Sequence, residues 1–219
     1  MKKLVILMLV MVTLFTTGCD KKVEKREVLL DYISYIQEVS YVGENEKFTV
    51  IIDEGKKEEV FVDDGKIGKI VDFTTVKVIP KQDVKGNKLQ VVLLSTEENS
   101  VELTKDMFTG CFEASCSDKK EYTSIKIDGE EIALTNSLAD CITIDKLFEI
   151  LRVELKEEIE SGFCDNKFTK EFYIKLVRDN NSIKNAYYYV ALISGENTFD
   201  SLLIDCKTGK VLTKKVKNS

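Results

Sequence analysis

The spacing of apolar side chains changes character several times along the chain. Residues 28–39 carry Val28, Leu29, Leu30, Tyr32, Ile33, Tyr35, Ile36 and Val39. Leu29, Tyr32, Ile33 and Ile36 fall on one helical stripe, although Val28, Leu30 and Tyr32 also alternate as in a strand; the stripe predicts a helix here. Residues 46–135 read as β-rich. Short β-prone runs at 48–52 and 60–62 flank a turn-like Asp53-Glu54-Gly55-Lys56, and runs at 71–79 and 89–94 suggest a long hairpin through Lys85-Gly86-Asn87. A second hairpin is expected around Asp128-Gly129. Residues 144–159 give the clearest helix: Thr143 is a good N-cap, Asp145 complements the helix dipole, and Ile144, Leu147, Phe148, Leu151, Leu155 and Ile159 form one apolar stripe. Strands are expected at 171–178, 186–194, 199–205 and 210–216. The pattern as a whole predicts an α+β fold of antiparallel sheets with a few helices, its C-terminal part a helix followed by a β-meander.

The first residues follow a different logic. Lys2 and Lys3 precede twelve residues, 4–15, that are apolar except for Thr13, and Thr16-Thr17-Gly18-Cys19 comes next. This is the charged, apolar and small-residue order of a secretory signal, too short for a helix that must cross ~30 Å of hydrocarbon. Gly18-Cys19 resembles the lipobox of bacterial lipoproteins, with Thr16 standing where that family prefers Leu. The resemblance implies that Cys19 receives a diacylglycerol, as in palmitate-bearing lipoproteins, and becomes the first residue of the mature chain. Two acyl chains suffice for lasting attachment. The expected organisation is a signal peptide at 1–18, a charged tether at 19–27, a β-rich lobe with an N-terminal helix at 28–140, and a helix with antiparallel strands at 141–219, the last two either separate or continuous.

Composition narrows the chemistry. The net charge is −6, and without Lys2 and Lys3 there are 30 basic against 38 acidic side chains. That balance argues against nucleic acid and against broad adhesion to anionic headgroups. The chain has no histidine and no tryptophan, which removes histidine-activated nucleophiles and the usual zinc sites. No cofactor, metal or catalytic set is expected. Beyond Cys19 there are five cysteines. Outside the cytoplasm these predict disulfides: Cys111 with Cys116 first, Cys141 with Cys164 second, and Cys206 left over as the odd thiol. Ser117-Asp118-Lys119-Lys120 and Lys207-Thr208-Gly209 match two motifs of serine β-lactamases, but the intervening Ser-x-Asn is absent, so the match is declined. Asp179-Asn180-Asn181 begins like a calcium loop but lacks its Gly and closing Glu. Tyr187-Tyr188-Tyr189 alternates across a strand, one face toward the core and the other a candidate binding face.

Residues 203–212, Leu-Ile-Asp-Cys-Lys-Thr-Gly-Lys-Val-Leu, resemble the closing hairpin of PepSY-like domains, small extracytoplasmic modules of helix and sheet. The resemblance implies a protein or peptide partner outside the cytoplasm. The expectation is therefore a lipid-anchored protein on the outer side of the cell membrane, a binding or structural and regulatory module of the envelope and no enzyme. Two alternatives stand beside it: an envelope-acting enzyme with paired carboxylates, and a small-ligand-binding lipoprotein.

Overall fold

A computed structural model describes residues 29–62, 64–116, 120–165, 167–179 and 182–216. Of these, 57% lie in strands and 10% in helices. The molecule is predominantly β, which corrects the α+β expectation. In chain order the strands are β1 (Ile33–Glu44), β2 (Phe48–Glu58), β3 (Ile70–Pro80), β4 (Lys88–Leu94), β5 (Glu98–Lys105), β6 (Phe112–Cys116), β7 (Ser124–Ile127), β8 (Glu130–Ala133) and β9 (Thr135–Asn136). Two helices, α1 (Ile144–Glu154) and α2 (Lys156–Glu160), precede β10 (Phe163–Cys164), β11 (Lys167–Phe168), β12 (Glu171–Asp179), β13 (Ser182–Gly195), β14 (Thr198–Asp205) and β15 (Val211–Lys215).

One mixed sheet of thirteen strands runs β15-β14-β13-β12-β1-β2-β3-β6-β5-β4-β7-β8, and β9 returns to pair with β1. That return closes the first half on itself like a barrel, with Tyr41 opposite Asn136 and Val42 opposite Thr135. Its interior is a core of inward-facing side chains, among them Val50, Ile52, Val76, Leu93, Phe112 and Ile125, all fully buried. Every second residue of these strands points inward, which accounts for the alternation along 48–52 and 89–94. The hairpin between β7 and β8 turns through Asp128 and Gly129, both at positive φ, as a two-residue hairpin demands. The strands at 71–79 and 89–94 are not partners: β3 pairs with β2 and β6, and β4 with β5 and β7.

The stretch read as an N-terminal helix is mostly strand. From Ile33 onward β1 pairs parallel to β12 (Ile33 with Phe172, Ile36 with Ile174) and antiparallel to β2. Ladder hydrogen bonds on both sides, and side chains buried on both faces, outweigh a helical stripe of four residues. The expected turn at 53–56 is likewise continuous β2. Gly55 is there because the β1 backbone passes so close that any Cβ would collide with the Ile36 carbonyl oxygen.

Strands β12 to β15 form an antiparallel meander whose one face is covered by α1 and α2. Leu147, Phe148, Leu151, Leu155 and Ile159 from the helices meet Phe172, Ile174, Val190, Leu192, Leu202 and Ile204 from the sheet. Thr143 caps α1 by accepting the Lys146 N–H at 3.2 Å. The stripe over 144–159 breaks at Leu155, which is fully buried between the two helices. This meander is not a self-contained helix-and-sheet unit, since β1 joins it edge to edge with the barrel. Among the described residues no helix is long and apolar enough to cross a membrane, a statement that does not bear on β-barrel spans.

Candidate functional site: an aromatic groove backed by buried carboxylates

The meander's other face carries the alternate residues of each strand. Tyr173 of β12, Tyr189, Ala191 and Ile193 of β13, and Phe199 of β14 stand there beside Ser34 and Tyr35 of β1 and Lys57 and Glu58 of β2. Phe61, from the loop at 59–69, forms a side wall. Together they enclose a groove of about 430 Å³. Rings supply most of its surface. Tyr35 stacks on Tyr173 with centroids 4.8 Å apart and on Phe73 at 5.2 Å, and Phe61 leans on Tyr173 at 5.6 Å. Phe61 is 48% exposed, so its ring can meet a ligand without unfolding. Burial pushes the phenols of Tyr35 and Tyr173 above their ordinary range, so both are neutral hydrogen-bond donors at neutral pH.

Two acids sit at one end. Glu58 is almost wholly buried and accepts the Gly68 N–H. Glu171 shares the Tyr173 face of β12 and is fully buried, with no hydrogen-bond partner on either carboxylate oxygen. Burial lifts its carboxyl to about 7, and nearby Glu58 and Asp64 push the same way. Ser34 and the Gly65 N–H offset this in part without reaching hydrogen-bond geometry. The Ser34 hydroxyl instead donates to the Phe172 carbonyl at 3.3 Å.

A polar network fastens the meander to the barrel a few residues along β1. Arg178 of β12 donates to Ser40, to Ser137 at 3.1 Å and to the Ile183 carbonyl at 2.7 Å, and its guanidinium lies 3.9 Å from Asp53. Ser40 donates to Asp53, and Gln37 accepts the Leu176 N–H at 2.6 Å. Burial raises the Asp53 carboxyl despite these partners. A second cleft of about 710 Å³, between residues 138–144 and β1, has Tyr188 and Cys141 in its walls.

The residues singled out from the sequence divide as follows. Cys19, like Ser117 and Asn180-Asn181, lies outside the described residues. Cys111 and Cys116 do not join: they bracket the extended strand β6, which separates them by ~16 Å at ~3.3 Å per residue, far beyond disulfide reach. Cys141 stands at disulfide distance from Cys206, with Cα atoms 5.0 Å apart, and not from Cys164, which is exposed on β10. The helices carry the chain away from Cys141, whereas the β14–β15 turn brings Cys206 back to it. Cys206 is thus the partner, not the odd thiol. Tyr188 points into the helix-covered core, its hydroxyl 3.4 Å from the Ile142 carbonyl, while Tyr189 lines the groove and Tyr187 is half-buried. Asp205 organises the 205–209 turn by accepting from the Thr208 N–H and hydroxyl, each at 2.8 Å, and Gly209 takes a positive φ. Among the described residues no three acidic or cysteine side chains are grouped to hold a metal.

Tyr35, Phe61, Tyr173, Glu58 and Glu171 escaped the sequence reading. The available signal was Glu171 heading an otherwise apolar strand start, Glu171-Phe172-Tyr173-Ile174, where an acid on the buried end of a strand needs an explanation.

No family model matches the chain. A protein of Acanthamoeba polyphaga mimivirus, named as BTB/POZ domain-containing, is 26% identical over 166 residues, covering 62% of this chain. The chain spans only 33% of that relative's length. No solved structure matches.

Proposed function

We propose that the chain is an extracytoplasmic lipoprotein, anchored to the membrane through Cys19, whose groove binds a segment of another envelope protein or peptide, and that it has no catalysis of its own. The groove carries this reading. A volume of about 430 Å³ falls within the ~300–1,000 Å³ typical of ligand sites, and walls of rings with a few polar groups are the usual makeup of such sites. The Lys2-Lys3 start, the apolar run at 4–15 and Gly18-Cys19 support the address. The viral relative's name adds nothing about a ligand.

Two measurements test the proposal. The full chain expressed in a bacterium and fed radiolabelled palmitate should carry label in the membrane fraction, and Cys19→Ala should lose it; label on the variant sinks the anchor. A displayed library of short peptides should yield binders to the parent chain that Tyr173→Ala no longer holds. Binders indifferent to that change would place recognition elsewhere.

A carboxylate-pair enzyme has one observation in its favour, the raised carboxyl of Glu171 beside Glu58. Against it, Glu171 has no exposed surface and does not line the groove, so only one acid meets a substrate there. Turnover of envelope glycans or peptides that vanishes in Glu171→Gln would reverse the preference.

A further inference from the structure

Glu171 is a carboxyl group withdrawn from water with nothing bonded to it. Such a group is expensive to bury, and the cost falls when a cation arrives. Of the residues beside it, Ser34 and Glu58 line the groove, whereas Asp64 and Gly65 belong to the 59–69 loop. The groove therefore ends at Glu58, with Glu171 enclosed beside it, on the Tyr173 face of β12 and opposite Ile193. Lys57, which also lines the groove, is not positioned as their counter-ion: its ammonium sits over the Phe73 ring, 5.5 Å from the centroid. The rings of Tyr35, Tyr173 and Phe61 line the same groove, as do the aliphatic Ala191 and Ile193.

We propose that this groove takes the lysine side chain of a peptide, its ammonium against Glu58 and within the field of the enclosed Glu171, and its four methylenes along the rings. The inference rests on the binding-module reading above and adds what is recognised. The ammonium donates a charge-assisted hydrogen bond to Glu58 and is attracted by the charge of Glu171, while its stem buries apolar surface along the rings. A divalent metal fits less well, because it calls for more oxygen ligands than two carboxylates provide, and no third acid, histidine or cysteine is grouped with them to hold a metal among the described residues. The chain's net charge of −6 draws basic peptides toward it.

The absence of tryptophan makes tyrosine emission a direct reporter, since Tyr35, Tyr173 and Tyr189 all line the site. The full chain in detergent is titrated with acetyl-Ala-Lys-Ala-amide and with its norleucine counterpart, which keeps the stem and drops the charge. The lysine peptide is expected to bind about tenfold tighter or more, as a charge-assisted hydrogen bond implies. Glu58→Gln should erase that preference and Glu171→Gln should reduce it, and Phe61→Ala, at an exposed ring, should weaken both peptides without unfolding the chain. Equal binding of the two peptides would overturn the cation preference and leave the groove reading standing. No binding of either would count against both. Displacement of the lysine peptide by calcium would hand the acids to a metal, and n-butylammonium binding as tightly as the peptide would make the ligand a free amine.

Discussion

Glu171 makes stability depend on pH in a direction opposite to that of acids held ionised by a cation or hydrogen bonds. Its carboxyl is raised from 4.5 to about 7 in the folded chain, so the native state holds a proton that the unfolded state releases. Its contribution is fully present below pH 4.5 and is lost as pH rises through 7. The shift of about 2.5 pH units corresponds to about 3 kcal/mol at 1.36 kcal/mol per unit. Relaxation of the 59–69 loop to admit water trims this, leaving about 1–3 kcal/mol. Urea unfolding of the parent and of Glu171→Gln at pH 5, 6, 7 and 8 measures it. With a urea slope of about 2 kcal/mol per molar, the parent's midpoint should fall by roughly 0.5–1.5 M between pH 5 and 8, and the glutamine variant's by much less. Asp53, also raised by burial, adds a slope of the same sign to both proteins, and the difference between them cancels it. Equal slopes in parent and variant would refute the assignment.

Three further outcomes are expected. Arg178→Met leaves Asp53 without its cation; the pair's side chains are only 12% and 21% exposed, so the loss should be about 2–4 kcal/mol by chemical denaturation, and a loss under about 1 kcal/mol would mean that the junction is wet. Closing the 65-residue separation between Cys141 and Cys206 is worth about 4 kcal/mol by loop entropy, so reductant should lower the urea midpoint of the parent and leave a Cys141→Ser, Cys206→Ser double variant unmoved. Gly55→Ala forces a Cβ onto the Ile36 carbonyl and should cost about 2–3 kcal/mol. Gly68→Ala meets only the Glu58 carboxylate at 3.4 Å and should move Tm by no more than a few degrees.

Local signals were readable where a side chain's role depends on its immediate neighbours. Thr143 caps α1, Asp128-Gly129 turns a hairpin, and the apolar positions at 147, 148 and 151 mark the buried face of a helix. The signals misled where the deciding partner lies far along the chain. Ile33 and Ile36 satisfy a helical spacing, yet what decides their state is β12, well over a hundred residues away. Gly55 resembles a turn glycine until β1 is known to press on it. The cysteine pairing failed for the same reason: proximity in sequence favoured Cys116 for Cys111, whereas an extended strand between two residues holds them apart. The candidate site was the least legible part, because its rings come from strands scattered over β1, β12, β13 and β14.

That scatter bears on how the groove is held. Tyr35 and Ser34 belong to the first half of β1, which pairs with β12, while Val39 to Glu44 of the same strand run along β2 and, at Tyr41 and Val42, close the barrel against β9. The bulge between Gln37 and Val39 lies between the part of β1 that pairs with β12 and the part that pairs with β9, while β2 runs along both. Gln37 and Ser40 on either side of it reach the Leu176 amide and Arg178 of the meander. The groove floor is therefore built from both halves of the sheet. Its ring spacing depends on the junction network as much as on the rings themselves. A ligand that supplies charge to Glu171 acts within the β1–β12 pairing. Loosening Arg178 should consequently weaken lysine-peptide binding even though Arg178 does not line the groove. Unchanged affinity in an Arg178→Met variant that stays folded would show that the meander face holds its shape without the barrel.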